Sequence, residues 1–87
     1  MFIPYTIKIS SEAERQIKKL DRAVQRRIEP VIDALAKNPR PAGAKKMEGY
    51  AGRYRVRIGD YRIVYEVYDR ELVVLIIRAG NRKEIYR

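Results

Sequence analysis

The order in which hydrophobic periods change along this chain predicts an α+β fold, with two antiparallel N-terminal helices on one face of a mostly antiparallel four-stranded sheet. Three observations carry it. Residues 2–9 alternate in polarity, residues 11–37 repeat apolar residues at helical spacing, and alternation returns in three segments after residue 53. The resulting order, β-α-α-β-β-β, gives the helices one sheet face to cover. Eighty-seven residues make one domain, 1–87, burying roughly 60–65% of the unfolded surface.

Ile3, Tyr5, Ile7 and Ile9 share one side of the first strand. Pro4 cannot donate to a ladder, so this strand is expected at an edge or starting near residue 5. Ser11 with Glu14 reads as a capping box opening the first helix, whose apolar stripe is Ala13, Ile17 and Leu20. Asp21 reads as the N-cap of the second helix, with Val24, Ile28, Val31, Ile32 and Leu35 on its buried face. Pro30 lacks an N–H and meets the carbonyl of Arg26, so it is expected to kink or divide that helix. The segment Asn38-Pro39-Arg40-Pro41-Ala42-Gly43 stops the helix in a loop. Strands follow over residues 53–58, 61–68 and 71–79. The last is apolar on both faces, which predicts a central strand, and Gly80 is expected to end it.

Gly59-Asp60 is a two-residue hairpin turn signal. It sets Ile58 against Tyr61 and Arg57 against Arg62, with Arg55 and Arg53 continuing the same face. Like charges directly opposed across two strands are destabilising, by a few tenths to about 1 kcal/mol. Two readings of this face stand. It is a surface for phosphate, which guanidinium matches bidentately at any working pH, or it is a solvated hairpin face. The opposite face, bearing Tyr54, Val56, Ile58, Tyr61, Ile63, Tyr65 and Val67, belongs under the helices. The last strand supplies apolar residues to the arginine face too, so a groove with an apolar floor and basic walls is expected there.

Composition narrows the chemistry. Without cysteine the chain has neither disulfides nor thiolate metal sites, which fits a reducing cytosol. Without histidine it lacks the commonest metal ligand and the commonest general acid or base. Catalysis would fall to Arg, Lys, Tyr, Asp or Glu, and no metal or cofactor is expected. The longest apolar run, Leu72 to Ile77, is too short to span a membrane, and no secretory signal pattern is present. A cytoplasmic location is the expectation. Twenty Lys and Arg against eleven Asp and Glu give a net charge of +9, which points to a polyanionic partner, nucleic acid before membrane, or to an acidic protein.

The chain resembles, over nearly its whole length, the RelE-like toxins of the RelE/ParE toxin–antitoxin superfamily. The resemblance rests on the element order, Asn38-Pro39, Lys46-Met47-Glu48-Gly49, Tyr54-Arg55-Val56-Arg57-Ile58, Tyr61-Arg62-Ile63-Val64-Tyr65 and Ala79-Gly80-Asn81-Arg82 with Tyr86 behind it. It implies a small ribosome-dependent endoribonuclease that cuts mRNA in the ribosomal A site, without a metal, by attack of a ribose 2′-oxygen on the adjacent phosphate. It implies two further partners, the ribosome and a RelB-like antitoxin, the latter offering acidic and apolar residues on a segment that folds on binding. A toxin–antitoxin hetero-oligomer follows from that pairing.

Carried over residue by residue, the family's functional positions fall on Arg55, Arg57, Arg62, Arg82 and Tyr86. Arg62 would stabilise charge on the phosphate, Arg82 would serve the departing 5′-oxygen, Tyr86 would stack on the base, and Arg55 with Arg57 would hold the backbone. Lys45, Lys46, Arg53 and Arg78 are the further candidates for RNA contact. Lys18, Lys19, Arg22, Arg26 and Arg27, around the helical hairpin, read either as a solvated face or as rRNA contacts. Well-known members often carry lysine where this chain has Arg55 and Arg57, which leaves the general base open. Glu48 either substitutes for it or is a solvated loop glutamate. A second function remains in view, a ParE-like toxin that binds and inhibits DNA gyrase without catalysis.

Overall fold

Among the described residues five strands, one more than the sequence predicts, form one sheet. The structure, a computed structural model, describes residues 3–81. Its elements are β1 Thr6–Ile9, α1 Ser11–Lys18, α2 Arg22–Lys37, β2 Lys45–Lys46, β3 Arg53–Ile58, β4 Tyr61–Tyr68 and β5 Val73–Asn81. Across the sheet the strands run β1-β5-β4-β3-β2. β1 is parallel to β5 and the remaining pairs are antiparallel. β1 therefore takes the edge position that Pro4 demanded. β5 lies between two strands, as its two apolar faces required. The additional strand, β2, is two residues long and pairs with Tyr54 and Arg55.

Helix entry differs from the sequence expectation by one residue. The N-cap of α1 is Ser10, whose Oγ accepts from the Ala13 N–H at 3.1 Å. The same hydroxyl donates to the Ile77 carbonyl at 3.2 Å, so it joins α1 to β5 as well as capping it. Ser11 lacks this second bond, and Glu14 instead pairs with Lys18 one turn on. α2 starts after Asp21 as expected. It runs through Pro30 undivided, with Pro30 and Arg26 both on the exposed side, where water can satisfy the carbonyl that proline leaves unbonded.

α1 packs on β5 and α2 on β1 and β5. Their stripe, Ala13, Ile28, Ile32 and Leu35, closes over Val56, Ile63, Tyr65, Val67, Val74, Ile76 and Ala79. Those sheet residues include most of the face assigned to the helices. β5 continues through Gly80 to Asn81 rather than ending at Gly80, because Gly80 still pairs with Arg62. A bulge opposite Val64 and Tyr65 absorbs the extra residue of β5.

Polar contacts fasten the end of the sheet remote from the hairpin. Arg40 donates twice to Asp69, at 3.2 and 2.8 Å, and its Nε donates to the Tyr54 hydroxyl at 2.8 Å. Tyr5 donates to the same Asp69 carboxylate at 2.6 Å. Behind them Tyr65 stacks on Tyr54 and donates to the Pro39 carbonyl at 2.7 Å. Burial pushes the Tyr65 hydroxyl up to about 12, so it is a donor at neutral pH. Among the described residues no helix is long and apolar enough to cross a membrane.

Candidate nucleic-acid interface

The hairpin turn fixes everything on the face away from the helices. Gly59 has φ +60° while Asp60 keeps a negative φ, the pattern of a type II′ turn with glycine first. Arg57 then opposes Arg62 and Ile58 opposes Tyr61, as the sequence requires. Directly paired residues point to the same face, so the register sorts side chains into rows across the sheet.

The row nearest the turn is Arg57, Arg62 and Gly80. The next is Lys45, Arg55, Val64 and Arg78. The third is Arg53, Glu66, Leu75 and Lys8, and the fourth Tyr68, Val73 and Thr6. Two adjacent rows thus hold five basic side chains, Arg57, Arg62, Lys45, Arg55 and Arg78, around Val64. Within these two rows the apolar residue is Val64; Leu75 and Val73, expected as floor between the basic walls, lie instead in the third and fourth rows, beyond the arginines. From α2, the Arg27 guanidinium reaches the hairpin: a Cβ built on Gly59 would lie 2.5 Å from its Nη2. Of the helix cations, Arg27 is therefore the one joined to the turn of this face.

Arg62 departs from the picture of an open arginine face. It is 2% exposed, the one buried charged side chain among the described residues. Its strand is the middle one of five, so neighbours flank it on both sides, whereas Arg57 on β3 is exposed and Arg55 half-buried. A guanidinium shielded from water interacts with an anion far more strongly than one at the surface, because the local dielectric is lower.

Other candidates divide. Lys45 joins the second row, but Lys46 pairs with Tyr54 and so points to the opposite side of the sheet. Arg53 is on the face but already engaged. Its Nη2 and Nε lie 2.8 and 3.1 Å from Glu66 Oε2, and its guanidinium lies over the Tyr50 ring at 3.9 Å. Arg82 and Tyr86 lie outside the described residues. Glu48 is exposed in the loop after β2, and the carboxylate within the rows is Glu66. Sequence reasoning missed Glu66, although the register that opposes Arg57 and Arg62 also opposes Arg53 and Glu66. The Arg53 guanidinium, with a second bond from the Tyr68 hydroxyl at 2.7 Å, holds the Glu66 carboxyl below the usual carboxylate range. A carboxylate lowered in this way is a weak base at neutral pH. The arrangement is suited to binding and stabilising negative charge, and Glu66 serves to orient Arg53 and Tyr68.

On the helix side, a cleft of about 580 Å³ separates α2 from the edge of β3, with Val31, Ala34, Leu35, Pro41 and Val56 in its walls and Lys37 and Arg57 at its rim.

Comparison with known proteins agrees with this architecture. Residues 7–86 match the family described as ParE toxin of the type II toxin–antitoxin system parDE. The chain is 31% identical to toxin RelG of Mycobacterium tuberculosis over 98% of its own length and 99% of that relative. It is 28% identical to the mRNA interferase toxin RelE of Escherichia coli K12, covering 94% of this chain and 90% of that one. The RelE–RelB complex of Pyrococcus horikoshii contains a chain that superposes with a TM-score of 0.82 at 30% identity, covering 94% of this chain and 99% of that chain. The intact E. coli RelBE toxin–antitoxin complex gives a TM-score of 0.79 at 26% identity, over 88% of this chain and 95% of that chain. With its fold and nearly its full length shared with these proteins, the chain belongs to the RelE-like toxins of type II toxin–antitoxin systems.

Proposed function

We propose that this toxin is a ribosome-dependent mRNA endonuclease acting in the A site. The observation that carries the reading is the pair of adjacent rows in which Arg57, Arg62, Lys45, Arg55 and Arg78 share one sheet face. Five cations gathered on one face match a phosphodiester strand, whose oxygens a guanidinium binds bidentately. The name of the E. coli relative, an mRNA interferase toxin, supports the same chemistry.

In the proposed step a ribose 2′-oxygen forms a bond to the adjacent phosphorus while the bond to the 5′-oxygen breaks. The 2′-hydroxyl loses its proton, the departing 5′-oxygen gains one, and the products carry a 2′,3′-cyclic phosphate and a 5′-hydroxyl. Negative charge accumulates on the phosphate oxygens in the transition state. Arg62, held out of water, is the donor for that charge. Preorganised donors of this kind contribute about 3–4 kcal/mol each. Arg55 and Arg57 hold the backbone in line. Arg82 serves the leaving oxygen and Tyr86 the base, as the family resemblance implies. No carboxylate of the rows is a strong base, so positioning and charge stabilisation carry the reaction.

The partner that restrains the toxin is an antitoxin, as in the RelBE complexes that superpose on this chain. Acidic residues of such a partner suit the arginine rows, and apolar ones suit the cleft between α2 and β3. The family match, described by its ParE members, keeps a second reading in view, inhibition of DNA gyrase by binding alone.

A reconstituted translation reaction separates the two. Wild-type protein is expected to cut mRNA within A-site codons, only when ribosomes are present, with 5′ ends mapped by primer extension. Arg62→Ala is expected to lose about a hundredfold or more in cleavage rate. Intact mRNA with folded wild-type protein, together with inhibition in a gyrase supercoiling assay, would move the assignment to the second reading.

A further inference from the structure

The two rows beyond the arginines differ from them in chemistry. In the third row the charge of Arg53 is neutralised by Glu66. Around it the surface becomes aromatic, with Tyr50 50% and Tyr68 43% exposed. Beside Tyr68 is a shallow cavity of about 280 Å³, whose lining is Lys8, Tyr68, Glu71, Val73 and Leu75. The proposed cleavage step uses none of these residues.

We infer that this cavity is a second subsite, which takes the base of a nucleotide flanking the one that is cut. The inference rests on the endonuclease reading and adds an address for the rest of the strand. Rows follow one another at two residues each, about 6.7 Å, so Arg62 and Tyr68, six residues apart on β4, are separated by about 20 Å. An extended RNA strand held by phosphate at Arg62, Arg55 and Arg78 crosses this distance in a few nucleotides. It then leaves the cationic rows and meets an aromatic ring over an apolar floor.

Each wall has a partner on a nucleotide. The exposed Tyr68 ring offers a stacking surface, and Val73 and Leu75 form the floor beneath a base. Lys8, at the same end of the sheet, supplies a cation for the adjoining phosphate. Glu71 is an acceptor for an N–H on the edge of the base, such as the exocyclic amine of cytosine. The ring does not have to be ordered by the ligand. The Tyr68 hydroxyl is already bonded to Glu66 at 2.7 Å, and Glu66 is held by Arg53, which in turn stacks on Tyr50. Little rotamer freedom is left to lose on binding. The positive charge along the same face draws any polyanion, and the cavity selects among them: its floor of Val73 and Leu75 beside the Tyr68 ring suits a planar base rather than acidic side chains.

The test measures fluorescence anisotropy of labelled 2′-O-methyl RNA, which cannot be cut, with purified protein at low salt. Two probes are used, a cytidine trimer and a cytidine nonamer. Wild-type protein is expected to bind the nonamer more tightly than the trimer. Tyr68→Ala is expected to weaken the nonamer about tenfold and leave the trimer unchanged, since stacking on an aromatic side chain is lost. Tyr68→Phe keeps the ring but loses the bond to Glu66 that orders it, and is expected to weaken the nonamer clearly less than Tyr68→Ala does and to leave the trimer unchanged. A thermal melt of each variant confirms the fold.

Nonamer binding unaffected by Tyr68→Ala would overturn the subsite and leave this surface to a protein ligand. Equal loss in Tyr68→Phe and Tyr68→Ala would also overturn it, since the effect would then run through Glu66 and Arg53. The parent reading is judged separately. It fails if Arg62→Ala leaves both trimer binding and mRNA cleavage intact, whatever happens at Tyr68.

Discussion

Gly59 and Glu66 show how single residues maintain the arginine rows. Gly59 adopts φ +60°, where a side chain is strained by about 1–2 kcal/mol. A methyl group there would also displace the Arg27 guanidinium. Gly59→Ala is therefore expected to lower stability by about 1 kcal/mol or more, read as a fall in Tm of about 4–8 °C for each kcal/mol. Glu66 acts through its charge. It and Asp69 are both held below the usual carboxylate range, Glu66 by Arg53 and then Tyr68, Asp69 by Arg40 and then Tyr5. Their folded values lie below their unfolded ones, so what they contribute is complete at neutral pH. It is lost as pH falls from about 4 through the lowered folded values. Urea denaturation from pH 7 to pH 3 should show this fall in wild type. It should show a shallower one in Glu66→Gln, which cannot ionise and starts from a lower stability.

At the scale of elements, Ser10 makes the sharpest claim. It caps α1 and bonds to β5, whereas Ser11 does neither. Ser10→Ala is expected to cost about 1–2 kcal/mol, and Ser11→Ala to lie within about 0.5 kcal/mol of wild type, by chemical denaturation. Two adjacent serines made this cap ambiguous in sequence, because a capping box matches Ser11 while the deciding bond crosses to Ile77. The other elements were legible to different degrees for physical reasons. The hairpin strands β3 and β4 were readable to the residue, since a two-residue turn fixes register and alternation fixes face. β2 was not readable: two lysines have no alternation, and only the edge of β3 makes them a strand. β5 outlasted Gly80 because its pairing with β4 outweighs the poor strand preference of glycine.

At the scale of the molecule, the excess of nine positive charges concentrates its effect on one sheet face. Binding of a single-stranded RNA across the five cations of the first two rows should weaken with salt at a logarithmic slope of about −3 to −4. That is about a hundredfold between 50 and 200 mM. Removing Arg57 should reduce the slope by about 0.7, measured by anisotropy over a salt series. Much of this candidate face was legible in the chain, because arginines at every second position around a turn must align. Arg62 being buried was not, since only the sheet order puts β4 in the middle. The neutralisation of Arg53 followed from the same register, which sets Arg53 opposite Glu66, whereas the tyrosine end depended on where β5 and β1 come to lie.

The parallel pairing of β1 with β5 has a consequence in time. Among the described residues β1 pairs with β5 alone, about seventy residues later in the chain. A nascent chain that has reached β4 has its hairpin, but β1 is without a partner and β4 lacks one side. Arg62 is then at an edge rather than at the centre, and the helices have no β5 to rest on. Sheet closure is a late event, governed by loop closure over nearly the whole sequence rather than by local turns. A truncated product ending before β5 is expected to retain local structure without a closed sheet.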